Sequence, residues 1–252
     1  MDFVHYIALG DSMSMDLYPA LDAGETDVAV ALERIPSAGS VAPLGAASLL
    51  FRNEESHWPD EVGNDLTTEY PGIDFEQRAS SGATMGDVYG DQILTIDPSD
   101  EPTLVTLTIG SEDLFSAFSA KPNRSILTRI IGDLGQAFAV LVDAIQGIRP
   151  RSTLVLTTVC DPSDRTGKIP GVLDHIGALP LFALDQFNER IRLVARERRG
   201  VSVADAYSQF LGHGAGVPEA DRWYWRRAPL EPNAAGADQL RRLWLDAVRQ
   251  AP

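Results

Sequence analysis

The stretch Phe3–Ser12 (FVHYIALGDS) joins an apolar run directly to a Gly-Asp-Ser turn. Apolar and β-branched residues that stop at glycine and small polar residues are typical of a buried strand entering a loop. A second such run, Thr103–Ile109 (TLVTLTI), ends in Gly110. Both segments therefore predict core strands whose carboxyl ends lead into polar loops.

Further strands and long helices alternate along the chain. Ile73–Gln77 is a weaker strand candidate, and Thr153–Thr158 and Val201–Ala206 are stronger ones. Helical spacing of apolar residues is found over Ile126–Ile148, over Leu181–Arg199 and from Ala234 to the C-terminus. Such alternation implies parallel pairing with right-handed crossovers. We therefore predict an α/β fold with three α/β/α layers around a five-stranded parallel sheet, flavodoxin-like in type.

The length of 252 residues fits one large domain, which we expect to span residues 1–252. Residues 20–53 show little periodicity and are interpreted as a loop insertion with one short helix. Residues 207–233, between the last strand and the last helix, are interpreted as a loop that shapes an active site. No internal repeat or low-complexity tract divides the chain.

Acidic residues dominate the charge. The chain has 36 Asp and Glu against 21 Lys and Arg, a formal net charge of −15 at pH 7. A nucleic-acid partner is disfavoured, because phosphate contacts need basic patches. No basic amphipathic helix favours membrane attachment, and we expect the apolar stretches to be too short for a transmembrane span of roughly 20 residues. We expect a small-molecule substrate; the sequence does not indicate an oligomeric state.

The N-terminus and the cysteine content bear on location. Residues 1–9 (MDFVHYIAL) lack the positive region of a secretory signal, so a cytoplasmic location is the default expectation. The single Cys160 excludes an internal disulfide. Its position after the fourth strand favours a buried thiol over a reactive one.

Four motifs lie where ligands bind in such sheets, near the carboxyl ends of the strands. They are Gly10-Asp11-Ser12, the segment 79–84 (ASSGAT), the segment 110–113 (GSED) and the segment 230–236 (LEPNAAG). In this order they resemble the four sequence blocks of the SGNH or GDSL hydrolases, and the resemblance covers essentially the whole chain. A Gly-Asp-Ser tripeptide alone is weak, but four blocks in order are specific.

The resemblance implies ester hydrolysis or acyl transfer, in which a serine attacks the carbonyl and hydrogen-bond donors stabilise the oxyanion. Ser12 matches the nucleophile and Gly82 an oxyanion donor. Two positions depart from the family pattern: Glu112 stands where the oxyanion Asn belongs, and Glu231 where the catalytic His belongs. Ala228 stands at the position of the triad Asp.

These replacements suggest a serine-carboxylate site. Serine-carboxyl peptidases differ from subtilisins by a similar double exchange, and by that analogy Ser12 would be the nucleophile, Glu231 the base and protonated Glu112 the oxyanion donor. Such a donor needs its proton, so we expect activity to favour acidic pH. Close carboxylates share protons, so one should titrate well above the other.

Other residues near the motifs are candidates for supporting roles. Asp11 could bind substrate or hydrogen-bond the turn amides, and Asp113 could cap the following helix. His213, flanked by glycines in the long loop, could act as a substitute base. Asn233 follows the Glu231-Pro232 pair in the last block and is a further binding candidate.

Three alternatives to ester hydrolysis remain open. The Glu112/Glu231 pair could run general acid/base chemistry such as glycoside cleavage, ring opening or cyclisation. The fold could also serve as a binding protein that has lost its catalytic His. A cation held by Asp11, Glu112 and Glu231 is the third, but no ligand spacing supports it, so we expect neither a metal nor another cofactor.

Overall fold

The chain folds around a five-stranded parallel sheet, as predicted. A computed structural model describes residues 2–25, 41–169 and 177–250. The strands follow the spatial order β2-β1-β3-β4-β5, which is the flavodoxin-like order. They are β1 (His5–Gly10), β2 (Asp74–Gln77), β3 (Thr103–Thr108), β4 (Ser152–Thr157) and β5 (Val201–Ala204). The strand order reverses between β1 and β3, and ligands bind at such a switch point.

Helices cover both faces of the sheet. Within the described ranges they are α1 (Leu17–Asp22), α2 (Ala46–Phe51), α3 (Leu66–Glu69), α4 (Met85–Asp87), α5 (Ser111–Ser119), α6 (Arg124–Ile148), α7 (Leu181–Arg196), α8 (Ala206–Phe210) and α9 (Ala234–Arg249). A small antiparallel hairpin, β6 (Tyr224–Trp225) and β7 (Ala228–Pro232), precedes α9.

Alternation along the strands divides the apolar residues between two cores. Ile7, Val105 and Leu154 face one core, where the apolar sides of α5, α6 and α7 pack. Tyr6 and Leu104 face the opposite core, with α2 and α9. Successive residues of a strand point to opposite faces, so the continuously buried runs of β1, β3 and β4 contribute side chains to both layers.

Two glycines set the backbone at the carboxyl ends of the central strands. Gly10 has φ +119, and a Cβ at this position would lie 1.7 Å from the carbonyl oxygen of Thr108. Gly110 has φ +115, and a Cβ there would lie 2.4 Å from the ring of Phe187. A side chain at either position would clash, so both turns require glycine. Gly10 allows β1 to lie close to the end of β3, and Gly110 allows the end of β3 to lie close to α7.

Helix α6 is longer and more apolar than the sequence analysis expected of any segment of the chain. By length and composition alone it could cross a membrane, with a mean hydropathy of 1.4 over its most apolar window. In the structure its face carrying Leu127, Ile131, Phe138 and Ile145 is buried in the first core. A core helix passes the same test of length and composition, so this feature is weak support for a membrane span.

The two segments interpreted as loops contain regular structure. The end of α1 and all of α2 fall within residues 20–53, and Ala46–Leu50 are buried; residues 26–40 lie outside the described ranges. Segment 207–233 contains most of α8 and the β6–β7 hairpin. Helix α2 is short and the hairpin has a register irregularity, so neither produces a clear periodic pattern.

Candidate active site

Ser12 lies directly after β1, in a short 3-10 turn (Ser12–Ser14). The carboxylate of Asp11 caps this turn by accepting a hydrogen bond from the backbone N–H of Met13 at 3.2 Å. The Asp11 backbone N–H donates to the carbonyl oxygen of Thr108 on β3 at 2.8 Å. Ser12 is 9% exposed, so the turn holds its hydroxyl in a nearly buried position.

Ser12 opens into a cleft of about 620 Å³ at the carboxyl ends of β1, β3 and β4. The β6–β7 hairpin contributes another wall. Of the predicted site residues, the cleft brings together Asp11, Ser12, Glu112 and Glu231. No Lys or Arg is among the described residues that line it, so its fixed charge is negative. The others are Met13, Thr108, Ile109, Ser111, Phe115, Thr157, Thr158, Val159, Cys160, Pro162, Tyr224 and Leu230.

Glu231 extends into the cleft from β7. Burial raises the pKa of its carboxyl to about 7, an effect that the nearby Ser12 hydroxyl partly offsets. The negative charges of Asp11 and Glu112 add to the rise. Its Oε2 atom is buried and has no hydrogen-bond partner among the described residues. Glu231 is therefore a carboxylate that gains or loses its proton near neutral pH.

Asp11 is the second buried acid of the cleft, at 3% exposed. Burial raises its pKa to about 6, while hydrogen bonds with Ser111, Thr108 and the Met13 amide oppose the rise. Ser111 Oγ donates to Asp11 Oδ2 at 2.9 Å. These contacts make Asp11 a structural support of the turn that carries Ser12, and the charge of Asp11 contributes to the raised pKa of Glu231.

Glu112 and Asp113 lie in the first turn of α5 and point in different directions. Glu112 is an exposed wall residue of the cleft, and partial burial, followed by the charge of Asp113, raises its pKa. Asp113 accepts the backbone N–H of Met85 at 3.1 Å, which anchors the start of α4. Burial raises the pKa of Asp113 as well. Of the two acids, only Glu112 lines the cleft.

The two facing acids differ in how tightly they hold a proton. Glu231 is the more buried and has the larger rise in pKa, so Glu112 ionises first as the pH increases. When one proton is shared, it resides mainly on Glu231. The form in which Glu231 is ionised and Glu112 protonated is therefore the less populated of the two.

His213 is engaged away from the cleft. Its Nδ1 lies 2.6 Å from the carbonyl oxygen of Asp221, and its ring stacks on Trp223 with a centroid separation of 3.6 Å. It is not among the cleft-lining residues. His5 and His57 contact Glu101 and Glu25, and His175 lies outside the described residues.

Asn233 and Gly82 have local roles that the backbone defines. Asn233 caps α9, since its Oδ1 accepts the N–H of Gly236 at 2.8 Å and its Nδ2 donates to the carbonyl of Arg222 at 2.7 Å. Gly82 adopts φ +73 in an exposed turn. Positive φ at Gly82 fits a turn glycine whose amide remains accessible.

Several supporting residues were missed in the sequence. Ser111 lies inside the third motif, so its position could have identified it as an Asp11 partner. Gln92 exchanges two hydrogen bonds with the backbone of Gly10, at 2.8 and 2.9 Å, but lies between motifs. The hydroxyls of Tyr18 and Ser81 share a hydrogen bond of 2.9 Å. Burial, together with the charges of Glu231 and Glu112, raises the pKa of Tyr18. No sequence signal marks Gln92 or Tyr18.

The thiol of Cys160 lines the cleft beneath Tyr224. Cys160 is half-buried as a residue, and burial of its thiol raises the thiol pKa above the ordinary range. Within the described ranges, no group of three or more His, Cys, Asp or Glu side chains is arranged to hold a metal ion.

Comparison with known proteins places the chain in a family. The profile of the GDSL-like Lipase/Acylhydrolase family matches residues 40–239. The chain therefore belongs to the GDSL-like lipase/acylhydrolase family. A search of curated proteins finds no matching sequence.

Solved structures share the fold at low sequence identity. An extracellular lipase from Streptomyces rimosus is 21% identical with a TM-score of 0.60, and the match covers 98% of this chain and 99% of the lipase. A phospholipase A1 from Streptomyces albidoflavus is 20% identical, with a TM-score of 0.59 and coverage of 98% and 99%. An acetylxylan esterase from Geobacillus stearothermophilus is 16% identical, with a TM-score of 0.58 and coverage of 98% and 96%. These similarities establish the fold.

Proposed function

We propose that the protein hydrolyses or transfers the acyl group of a small-molecule ester through Ser12, with Glu231 as the general base. The observation that supports this most directly is the placement of Glu231 beside Ser12 in one cleft, with a pKa of about 7. A base is most effective when its pKa lies near the working pH. An ordinary Glu, with a pKa of about 4.3, would be a much weaker base for a serine hydroxyl.

The reaction proceeds in two stages. In the first, Ser12 Oγ bonds to the ester carbonyl carbon while its proton moves to the Glu231 carboxylate, and the carbonyl π electrons move to the oxygen. The tetrahedral intermediate collapses, the C–O bond to the alcohol breaks, and the alcohol leaves with the proton from Glu231. In the second stage water attacks the acyl-serine, again with Glu231 as base, and releases the acid and Ser12.

The oxyanion needs hydrogen-bond donors. Backbone amides at Ser12 and at Gly82 are the candidates that the family resemblance supplies, and protonated Glu112 is the third in this proposal. Glu112 ionises before Glu231, so when the pair holds one proton, Glu112 carries it only in the less populated form. Glu112 can act as an oxyanion donor, with Glu231 as the base, only in that form. Ionised Glu112 would instead repel the oxyanion, so the donor role sets an upper pH limit on activity.

The experiment that tests the proposal is Ser12→Ala, with Ser14→Ala as the matched control. Ser14 lies in the same turn but is fully buried, with its hydroxyl on Thr108 Oγ1 at 2.8 Å. With p-nitrophenyl acetate from pH 4 to 9, we expect Ser12→Ala to lose about 10³-fold or more in kcat, as removal of a serine nucleophile does elsewhere. Ser14→Ala should keep most of the activity.

Mass spectrometry of the acid-quenched protein completes the test. An acetyl adduct on the peptide containing Ser12 supports the acyl-enzyme. Turnover that survives Ser12→Ala would instead favour general acid/base chemistry by Glu112 and Glu231, for which the two raised pKa values are the specific observation. Absence of both turnover and adduct across the pH range would contradict the proposal and favour a binding protein.

A further inference from the structure

One side-chain amide joins the end of β1 to the turn that carries Gly82. Gln92 lies outside the four motifs and is only 4% exposed. Its Oε1 accepts the backbone N–H of Gly10 at 2.8 Å, and its Nε2 donates to the carbonyl oxygen of Gly10 at 2.9 Å. The same Nε2 donates to Ser80 Oγ at 3.2 Å. Gly10 lies two residues before Ser12. Ser80 lies two residues before Gly82, so one amide contacts both turns.

The Gln92 amide takes the place of a strand partner for Gly10. β3 pairs with β1 as far as Gly10, but β2 pairs with β1 only as far as Ala8, which lies opposite Gln77. Beyond that point, the Gln92 side chain supplies both a donor and an acceptor to Gly10. The carbonyl oxygen of Gly10 also accepts the backbone N–H of Ser80 at 3.0 Å. Loss of the amide would leave the buried N–H of Gly10 without its acceptor, which is costly.

An uncommon backbone turn points the Gln92 side chain inward. Residues Val88–Gln92 form a π-helical turn, closed by a hydrogen bond from the N–H of Ile93 to the carbonyl oxygen of Val88. Val88, Gln92 and Ile93 are buried, and residues 89–91 between them are exposed. Val88 and Ile93 pack in the first core, while Gln92 reaches Gly10. Turns of this kind are rare and often occur at functional sites, so this one is a candidate for a role beyond packing.

The turn that carries Gly82 has a second side-chain contact. The hydroxyl of Tyr18 shares its hydrogen bond with Ser81, the residue directly before Gly82. The ring of Tyr18 also packs near Trp225, at a centroid separation of 6.0 Å, on the hairpin that carries Glu231. Both residues that precede Gly82 in the turn therefore have side-chain partners from outside the motifs.

We propose that Gln92 is a positioning residue, whose amide fixes the backbone N–H groups of Ser12 and Gly82 relative to each other. This inference rests on the proposed function, in which those two N–H groups are candidate donors to the oxyanion. Gln92 is not among the cleft-lining residues, so it acts through the two turns and not on the substrate. An oxyanion needs its donors at about 2.7–3.1 Å, so displacement of one turn weakens transition-state stabilisation more than ester binding.

A second buried amide provides a matched control. Asn188, on α7, is 1% exposed and makes the same kind of contact with Val159, accepting its N–H and donating to its carbonyl oxygen, each at 2.8 Å. Gln92→Met and Asn188→Leu each remove such a pair of hydrogen bonds with little change in side-chain size. Both should therefore lower the urea midpoint of unfolding to a similar extent. A merely structural role for Gln92 predicts similar effects of the two changes on activity as well.

Kinetics with p-nitrophenyl acetate separate positioning from stability. Gln92→Met should lower kcat by about 10²-fold and change KM much less, because displaced donors stabilise the transition state less well. Asn188→Leu should keep most of the kcat. Equal decreases in kcat for the two variants, or a change confined to KM in Gln92→Met, overturn the proposal. Turnover by the unmodified protein shows in either case that the proposed function still stands.

Ser80→Ala tests the link between the two turns even if Gln92→Met does not fold. Ser80 is exposed, and this change removes only the hydroxyl that Gln92 contacts. We expect kcat to decrease by about fivefold, as loss of one hydrogen bond predicts. Where Gln92→Met folds, the two changes together should have less than their summed effect, since both break the same contact. Unchanged kcat in Ser80→Ala overturns the proposal.

Binding of phenylboronic acid, measured by calorimetry, tests the same positioning without turnover. Ser12 Oγ bonds to boron, the Ser12 proton moves to Glu231, and a boron-bound oxygen takes the place of the oxyanion. The Kd should increase by about tenfold or more in Gln92→Met and stay nearly unchanged in Asn188→Leu. This pattern supports the positioning role even if no ester is hydrolysed. Equal Kd values in the two variants overturn the positioning role alone, and absence of both turnover and boronate binding in the unmodified protein overturns both proposals.

Discussion

Buried acids occur in two contrasting regions of this molecule. At α9, Asp238 is 1% exposed and binds Arg241 at 2.7 Å and Arg242 at 2.8 Å. Glu61 contacts the same Arg242 at 2.9 Å. In the cleft, by contrast, Asp11 and Glu231 have no cation among the lining residues, and their pKa values rise to about 6 and 7.

This difference separates structural acids from candidate functional ones. A carboxylate beside a guanidinium is paired with an opposite charge and can fasten two segments together, as Asp238 does through Arg241, which also donates to the carbonyl of Asn64. A buried carboxylate without a cation is destabilising when ionised, and it can therefore exchange a proton near neutral pH. Buried carboxyls with raised pKa values and no nearby cation, such as Asp11 and Glu231, are typical of functional sites.

The largest expected effect concerns Glu231→Gln. Loss of the base should lower kcat/KM for p-nitrophenyl acetate by about 10²–10⁴-fold. At pH 8 the same change removes a buried negative charge, so the thermal midpoint should increase. Calorimetry and kinetics on one preparation check both. If Glu231→Gln had a lower thermal midpoint and full activity, Glu231 would have a structural role, as Asp238 does, and would not be the base.

Arg241→Met tests the paired region. Arg241 is 0% exposed, and its loss leaves Asp238 with only the half-exposed Arg242, so we expect a decrease of about 3–5 kcal/mol in unfolding free energy. Urea unfolding at pH 7 measures this. Arg249→Met, on the same helix and paired with surface Glu69, is the control and should cost less than about 1 kcal/mol. Equal losses would contradict a special role for burial.

The pH dependence of stability should reflect the unpaired acids. Asp11 and Asp16 have folded pKa values of about 6 and Glu231 of about 7, all above the value of about 4 expected in the unfolded chain. The folded state thus binds more protons between pH 4 and 7, and stability decreases as the pH rises through that range. We expect a loss on the order of 2 kcal/mol per acid from pH 5 to 8, measured by urea unfolding.

The variant Glu231→Gln identifies one residue that causes the loss of stability between pH 5 and pH 8. Glu231→Gln should reduce the difference in stability between pH 5 and pH 8, since the amide does not titrate. Glu189→Gln, an exposed helix acid paired with Arg196, should leave that difference unchanged. A stability that rises steadily from pH 5 to 8 in the unmodified protein would contradict the raised pKa values.

The smallest expected effect concerns Glu112→Gln. The amide is a neutral donor at every pH, so above pH 7 kcat/KM should increase by at least about tenfold. Removal of the nearby charge also lowers the pKa of Glu231, which moves the rising limb of the pH profile to lower pH. Glu112→Ala removes the charge without supplying a donor and should gain less. Unchanged profiles would show that Glu112 does not reach the oxyanion.

The sequence predicted the fold well because its signals are local. The apolar runs of β1, β3 and β4 and the spacing in α6 and α7 appear directly in the order of the residues. The irregular hairpin before α9 was not recognised in the sequence, and the short helix expected within residues 20–53 could not be located there, because both elements depend on packing on α9 and the sheet. Short elements lack the length that a periodic pattern requires.

The prediction of the site was less complete. The motifs identified Ser12, Glu112 and Glu231, which line one cleft, and the assignment of their roles stays a prediction. The order of ionisation of the two glutamates depends on their different burial, and burial is a property of the folded chain. The partners of Asn233 and His213, and the contact of Ser111 with Asp11 across 100 residues, depend on the same distant packing.

By itself, the sequence determined the kind of sheet, the edge at which polar residues collect, and the family to which those residues belong. Local patterns suffice for these features, since strand and helix periods and glycine turns depend on near neighbours. Only the tertiary structure decided which acids within the described ranges have counter-ions and which lie uncompensated beside Ser12. It also set the raised pKa values of Asp11 and Glu231, because their burial arises from residues that are distant in the chain.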